Sequence, residues 1–554
     1  MWKRARWLTI IAVALVFLAY QRPVEKYFDI AKSLDIFATL FKEVNAYYVD
    51  EVEPEKLVRK GIEGMLESLD PYTDYIAEED LENFRISTTG QYGGIGALIG
   101  VINDKTVITH PYKSFPAYNA GIRVGDEIVS VNGKKVQGKS TGEISTMLKG
   151  QPNTEVELSI KRPGQRENTS VRIRREKIVL SNLSYAGLVD PDIGYIKLDD
   201  FTPGASRELS GALLRLKEQG AKSIILDLRD NPGGLLQEAV NIVNLFVAKG
   251  REVVFTKGKV DDWNKSYKTL NNPVDVEIPL VVLVSEESAS ASEIVAGALQ
   301  DYDRGLLMGK RTYGKGLVQT TRPLAYNSQL KITTAKYYIP SGRCIQAVDY
   351  THRHVDGSVD RVADSLKSEF KTRHGRKVFD GGGLDPDITT EDDYVGALTA
   401  ALVNSGFIFE YATKYCAQNQ KPSWKSFQLG DNDYNNFRRY LQEQKFSYAT
   451  PIERNAKQLI DAAKKERYYN ELENSLGTLR ERIELVKEKD FDRFKVEILE
   501  VLEEQIAFHY DLNEGLAAVS LARDNAIVEA RKILHNTEEY NKTLAIANDP
   551  PSEH

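Results

Sequence analysis

The spacing of apolar residues divides the chain into four stretches of different texture. In the first, Ile36, Leu40 and Val44, then Leu57, Ile62, Met65 and Leu66, recur at helical intervals, and Asp70-Pro71-Tyr72-Thr73 closes the run. From 85 to 177 the pattern changes to short strands parted by glycine turns. Gly93-Gly94-Ile95-Gly96-Ala97-Leu98-Ile99 is a glycine loop entering a strand, and Pro116–Ile122 is a short helix stopped by glycine. Val124–Gly133 is a strand ending in an Asn132-Gly133 hairpin signal, and a helix at 140–149 and alternating Val156–Ile160 complete the block. From 178 strands and helices alternate. Gly194–Leu198, Ser223–Leu228 and Leu280–Val284 read as strands, and Ser206–Gln219 and Leu235–Phe246 as helices. After Leu280–Val284 come a Ser/Ala-rich turn and a helix with Ile294, Val295, Ala298 and Leu299 on one side. Such alternation predicts right-handed crossovers and a largely parallel sheet or barrel-like core. Past 391 glycine and proline thin out, and residues 451–543 carry long amphipathic patterns such as Leu476, Leu479, Ile483 and Val486.

The expected architecture is therefore multidomain α/β. It comprises a leader segment at 1–24, a helical N-terminal module at 25–84, a small β-rich domain at 85–177, an α/β core at 178–390 and an appended helical domain at 391–554. A chain of 554 residues is too long for one core, which fits that count. The leader has Lys3, Arg4 and Arg6 ahead of Trp7–Tyr20, a run without charge. That is the layout of an export signal. Leu18-Ala19-Tyr20-Gln21 makes a poor cleavage site and the run is short for a full span, so a cleaved leader and a membrane anchor both stay open. A net charge of −7 argues against a nucleic-acid partner. Cys344 and Cys416 are too few for a four-thiolate metal site, and no spacing supports a disulfide between them.

Candidate chemistry gathers between Ile278 and Gln319. Ser288, Ser290 and Ser292 crowd a strand-to-helix corner, and their spacing alone does not say which would attack. Ser290-Ala291-Ser292-Glu293 is also a capping box, and a serine there gains from the helix dipole whichever role it plays. A serine hydroxyl needs a base. Lys315, flanked by Gly314 and Gly316, qualifies if it is neutral: burial can bring a lysine from about 10.4 towards about 7–8, at roughly 1.4 kcal/mol per unit. Of the seven histidines, only His352 and His354 compete on spacing. Asn231-Pro232-Gly233-Gly234, following the Ser223–Leu228 strand, can present backbone N–H groups at the carboxyl edge of the sheet, and the Ala291 N–H would add another donor for an oxyanion.

Two resemblances follow from these strings. GGIGALI and AGIRVGDEIVSVNGK resemble a PDZ domain, whose glycine loop, here Gly94, Ile95, Gly96 and Ala97, holds a peptide C-terminus while the peptide adds as a strand. LDLRDNPGGLL, SEESASASEIVAGALQDYDRG and RTYGKGLVQ, with KYYIPSGRCIQ and GGGLDPDI, resemble the C-terminal processing (tail-specific) serine peptidases over roughly 31–390. The resemblance implies a Ser/Lys endopeptidase with no metal or cofactor, with Ser290 as nucleophile, Lys315 as general base and Gln319 orienting the lysine. It also implies Gly233 or Gly234 and Ala291 at the oxyanion and Glu293 and Asp301 in support. On an extended strand Lys315 and Gln319 would lie about 13 Å apart, so direct contact between them requires a local turn. The expected partners are proteins bound through their C-termini, and self-association is left open. The expected location is the periplasm or the periplasmic side of the inner membrane. The alternative reading is a catalytically silent PDZ-containing scaffold.

Overall fold

The computed structural model describes residues 27–354, 357–391 and 395–545, so the expected leader lies outside the described residues. Among these no helix is long and apolar enough to cross a membrane. The chain forms two compact units, one reaching to Ile76 and including Thr321–Ile332, the other comprising Ala77–Thr320 and Thr333 onward. In the first, a helix over 27–47 and the helix Pro54–Glu67 are followed by the strand Asp74–Ile76. That strand pairs antiparallel with Gln329–Lys331, which lies within the 178–390 span expected for the core. Phe28, Phe37, Leu40 and Tyr48 stay exposed on this unit.

The second unit is built on a six-stranded sheet. In spatial order its strands are Leu183–Asp190, Ile193–Leu198, Ser223–Asp227, Leu280–Val284, Leu306–Gly309 and Ile388–Thr389. The first pair is antiparallel and every other pair parallel, so the sheet is open and largely parallel rather than barrel-like. Strand residues alternate between two cores. Ile196, Leu198, Ile224, Leu226 and Val282 face the helices Ala205–Glu218, Leu236–Phe246 and Ala291–Asp301. On the opposite face Tyr195, Ile225, Val281, Leu283 and Met308 pack on Ile527, Ala530, Ile533 and Tyr540.

That second contact joins the end of the expected helical C-terminal domain to the sheet. A parallel sheet must be covered on both faces, and here the last two helices, Asn525–His535 and Thr537–Thr543, do the covering. Residues 525–544 thus seat the end of the chain on the core through a nonlocal link, with Tyr540 Oη accepting the Leu280 N–H at 2.9 Å.

The small domain has strands Ala97–Ile102, Lys105–Pro111, Glu127–Val131, Glu155–Lys161 and Thr169–Arg174, with the helix Thr141–Leu148 capped by Ser140. Asn132 and Gly133 both take positive φ, the turn that joins Glu127–Val131 to Lys134–Lys135. The helical domain docks on this one: Asn103 Nδ2 donates to Glu410 Oε2 at 2.7 Å, and the His110 ring meets Phe508 edge-on.

Phe201, fully buried, fills the space beside the Gly234 α-carbon. Phe201→Ala is expected to lower unfolding free energy by about 3–5 kcal/mol, read by urea denaturation.

Candidate active site

The parallel strands Ser223–Asp227 and Leu280–Val284 end side by side, and the loops that follow them meet. The first loop is fixed by Asp227 and Asn231. Asp227, fully buried, accepts Tyr195 Oη at 2.8 Å and pairs with Arg229 at 2.6 Å. Burial works against its ionisation, but Arg229 and Lys197 hold its carboxyl below the usual range. Asn231 is the hinge between the loops. Its Nδ2 donates to Leu198 O at 2.8 Å, and its carbonyl accepts the Ala289 N–H at 3.0 Å and Ser292 Oγ at 2.9 Å. Nothing in sequence flagged this residue beyond its place before Pro-Gly-Gly.

The three serines of the second loop separate cleanly. Ser288 and Ser292 are fully buried, and their hydroxyls donate to Leu228 O and Asn231 O at 2.8 and 2.9 Å. Ser290 is partly exposed, and its hydroxyl makes no capping hydrogen bond. Its backbone stands at φ 56°, ψ −112°, a strained position for a residue with a side chain, at a strand–turn–helix corner. The capping box closes through its other arm, with the Ser290 N–H donating to Glu293 Oε2 at 2.9 Å. Gly233 abuts this corner, since a Cβ there would lie 2.9 Å from Ser290 Cβ and 2.8 Å from Ala291 N. With φ 98° as well, only glycine fits.

Of the expected oxyanion donors, the Gly233 N–H is taken by Asn231 Oδ1 at 2.9 Å. The Ala291 N–H lies in the first turn of its helix, where no intrahelical acceptor exists. Gly234 packs on Phe201 and pairs with it in a parallel bridge.

Glu293 joins the serine loop to the lysine turn. It is fully buried and accepts four hydrogen bonds. Thr312 Oγ1 and the Gly314 N–H reach Oε1 at 2.5 and 2.8 Å, and the Ser290 and Lys315 N–H groups both reach Oε2 at 2.9 Å. Burial pushes its carboxyl up to about 7, against the pull of those donors. The glycines beside Lys315 allow the close packing their size suggests: a Cβ on Gly314 would lie 2.4 Å from Ala347 Cβ, and one on Gly316 2.8 Å from Gln346 N. Lys315 itself is half-buried and lies in the coil before the strand Leu317–Pro323. Gln319, on that strand, donates to Thr333 Oγ1 at 3.2 Å. Tyr337, which carries no sequence signal beyond its place in the KYYIPSGRCIQ string, points its hydroxyl at the carbonyls of both Ser290 and Lys315.

Asp301 stands apart from this cluster. Eleven residues of helix, about 1.5 Å each, separate the two ends of Ala291–Asp301. Its carboxylate meets Arg343 Nη2 at 2.8 Å and the Ser341 N–H at 2.9 Å, so its support goes to the far end of the helix. His352 and His354 are exposed and paired with Asp349 and Asp360. Both cysteines are free thiols. Among the described residues no group of three or more His, Cys, Asp or Glu side chains is arranged to hold a metal ion. In the small domain, Ile95 is buried and Gly96 has φ 73°, and Ile95, Ala97, Ile99, Leu148 and Lys149 line a cavity of about 180 Å³.

Three family models match stretches of the chain. Residues 192–353 match the model described as Peptidase family S41, residues 107–162 a PDZ domain, and residues 398–534 the model described as Probable PDZ-protease, C-terminal helical domain. A probable CtpA-like serine protease of Staphylococcus aureus (strain N315) is 34% identical over 434 residues, 77% of this chain and 75% of that protein. A carboxy-terminal-processing protease of Bartonella bacilliformis is 35% identical over 345 residues, 62% of this chain and 79% of that protein. Among solved structures, a photosystem II D1 C-terminal processing protease is 27% identical, covering 65% of this chain and 93% of that one with a TM-score of 0.35. The chain belongs to peptidase family S41, and within it to the carboxy-terminal-processing serine proteases that carry a PDZ domain.

Glu293 carries a measurable pH signature. Its carboxyl titrates at about 7 in the fold against an ordinary 4.5, so the folded state holds more protons between those values. Its contribution to stability therefore falls as pH rises from about 4.5 to about 7, by roughly 3 kcal/mol at most. Glu293→Gln cannot ionise. The wild-type-minus-variant difference in unfolding free energy, from urea melts at about pH 5 and about pH 7.5, is expected to fall over that interval; a flat difference contradicts the assignment.

Proposed function

We propose that this protein is an exported endopeptidase that cleaves other proteins near their C-termini, with Ser290 as nucleophile and Lys315 as general base. The observation that carries the reading is the shared grip on the two residues: their N–H groups donate to one oxygen of Glu293, while the neighbouring serines spend their hydroxyls on backbone carbonyls.

In acylation the neutral Lys315 amine takes the Ser290 hydroxyl proton as Oγ bonds to the scissile carbonyl carbon, and the carbonyl electron pair moves onto its oxygen. The Ala291 N–H and the Pro-Gly-Gly loop receive that charge. Either Gly234 serves, or Gly233 serves if its N–H leaves Asn231 Oδ1. Collapse breaks the C–N bond, and the proton on Lys315 passes to the departing amine. Water then attacks the ester, Lys315 takes its proton, and Ser290 Oγ leaves and is reprotonated. The products are a shortened protein with a new carboxylate and a freed tail. Gln319 orients the lysine, and no metal or cofactor takes part.

The PDZ domain recognises the substrate. A protein C-terminus adds as a strand beside Ala97–Ile102, its carboxylate meets the Gly94–Ala97 loop, and its last side chain enters the apolar cavity lined by Ile95, Ile99 and Leu148. Binding there delivers the tail to the Ser290 site or gates that site. Lys149, at the rim, packs over the Tyr92 ring. Export rests on the basic residues Lys3, Arg4 and Arg6 ahead of the uncharged Trp7–Tyr20 run, and places the enzyme in the periplasm or on the inner membrane facing it.

The test is incubation with a panel of unfolded and tailed proteins, with cleavage sites read by mass. Ser290→Ala and Lys315→Ala are each expected to cut cleavage by at least about 10³-fold while leaving the melting temperature within a few degrees. Full proteolysis by pure Ser290→Ala contradicts the assignment. Peptide binding without turnover by the wild type would support the silent-scaffold alternative.

A further inference from the structure

The hydroxyl of Tyr337 stands between the two turns that carry Ser290 and Lys315. Tyr337 lies on the strand Gln329–Tyr338 and is 1% exposed. Its Oη is 3.1 Å from Ser290 O and 2.6 Å from Lys315 O. Its own N–H donates to Gly316 O at 2.9 Å, so main chain and side chain both tie it to the lysine turn. The phenol has one proton to give, and the shorter contact is the one to Lys315 O. The Ser290 carbonyl already accepts the Ile294 N–H at 3.0 Å as the first bond of its helix. Satisfying an orphan carbonyl therefore does not explain why the hydroxyl sits against Ser290.

Spacing does explain it. Glu293 Oε2 holds the N–H groups of Ser290 and Lys315 from one side, and Tyr337 Oη meets the carbonyls of the same two residues from the other. Each residue is thus gripped at both ends of its main chain by atoms that also grip its counterpart. Ser290 needs such a grip, because its strained φ of 56° gives the corner a direction in which to relax. A phenylalanine would fill the same volume and leave the fold in place, so the hydroxyl is free to serve geometry rather than bulk.

We infer that Tyr337 is a positioning residue of the peptidase reaction, setting through its hydroxyl the distance and angle between the Ser290 and Lys315 turns. It touches neither substrate nor the reacting atoms. This role rests on the Ser290/Lys315 reading above and goes beyond it, because the resemblance to the C-terminal processing peptidases gives Tyr337 no part in the reaction. Its signature is a loss of rate without a loss of binding, since a misplacement of the order of 1 Å between reacting groups costs up to about 100-fold in rate.

The experiment compares full-length wild type with Tyr337→Phe, Tyr338→Phe and Ser290→Ala, measuring kcat, KM and thermal melting on one tailed protein. Tyr338 is the neighbouring control, its ring stacked on Phe255 at 5.0 Å. Tyr337→Phe is expected to lower kcat at least about tenfold, with KM within about twofold and melting within a few degrees of wild type, and Tyr338→Phe to match wild type throughout. Wild-type kcat in Tyr337→Phe overturns the inference. So does a fall in kcat that tracks unfolding in the melting curve, which assigns the hydroxyl to the fold alone. If Ser290→Ala cleaves like wild type, the peptidase reading itself fails and this inference falls with it.

Discussion

One carboxylate oxygen in a dry site joins the two turns on which the proposed chemistry depends. Glu293 Oε2 accepts the N–H of Ser290 and the N–H of Lys315, each at 2.9 Å, while Oε1 takes Thr312 and Gly314. The two turns come from different ends of a helix and strand excursion of some two dozen residues, and nothing local brings them together. If Ser290 and Lys315 act together as proposed, an acyl-transfer pair of this kind must be placed to within a fraction of an ångström to be of use. A buried acid ringed by four donors is a stiff way to do that, because any displacement leaves a donor unpaired in a low-dielectric site. The same burial that makes the tether stiff raises its carboxyl to about 7, so the constraint carries its own pH dependence.

The rest of the second unit keeps that carboxylate in register. Parallel pairing of Ser223–Asp227 with Leu280–Val284 delivers the Pro-Gly-Gly loop and the serine corner to the same edge. Asn231 locks one to the other, and the Asp227–Arg229 pair fixes the loop's first turn. Arg229 extends the brace outward by pairing with Asp524 at 2.8 Å, and Asp524 in turn caps the helix Asn525–His535 through the Ile527 N–H. The C-terminal helices that cover the back of the sheet are therefore connected by charge to the loop beside the Ser290 corner. Truncating the chain ahead of them would uncover a core and loosen the site together.

Much of this was legible in the order of residues, and the failures have physical causes. Branched apolar runs such as Leu280–Val284 announced buried strands, and Asn132-Gly133 announced its turn, because those signals are local. The serine corner was visible as a capping box, yet the three serines could not be told apart. What separates them is which carbonyl each hydroxyl reaches, and those carbonyls sit some sixty residues away on Leu228 and Asn231. The roles of Tyr337 and Asn231 carried no signal for the same reason, since their partners are distant in sequence. Amphipathic periodicity shows that a C-terminal helix has an apolar face but not what that face meets, so the packing of Ile527 and Ile533 on the sheet carries no local signal. The motif holds both Glu293 and Asp301, but eleven residues of helix carry Asp301 to the opposite end, where Arg343 receives it.

The most direct measurement is the site of covalent labelling by a serine-directed fluorophosphonate, mapped by peptide mass on the full-length protein. The account predicts a single adduct, on Ser290, whose formation is lost in Lys315→Ala. An adduct on Ser288, Ser292 or a residue outside the corner, or undiminished labelling of Ser290 without Lys315, would contradict it.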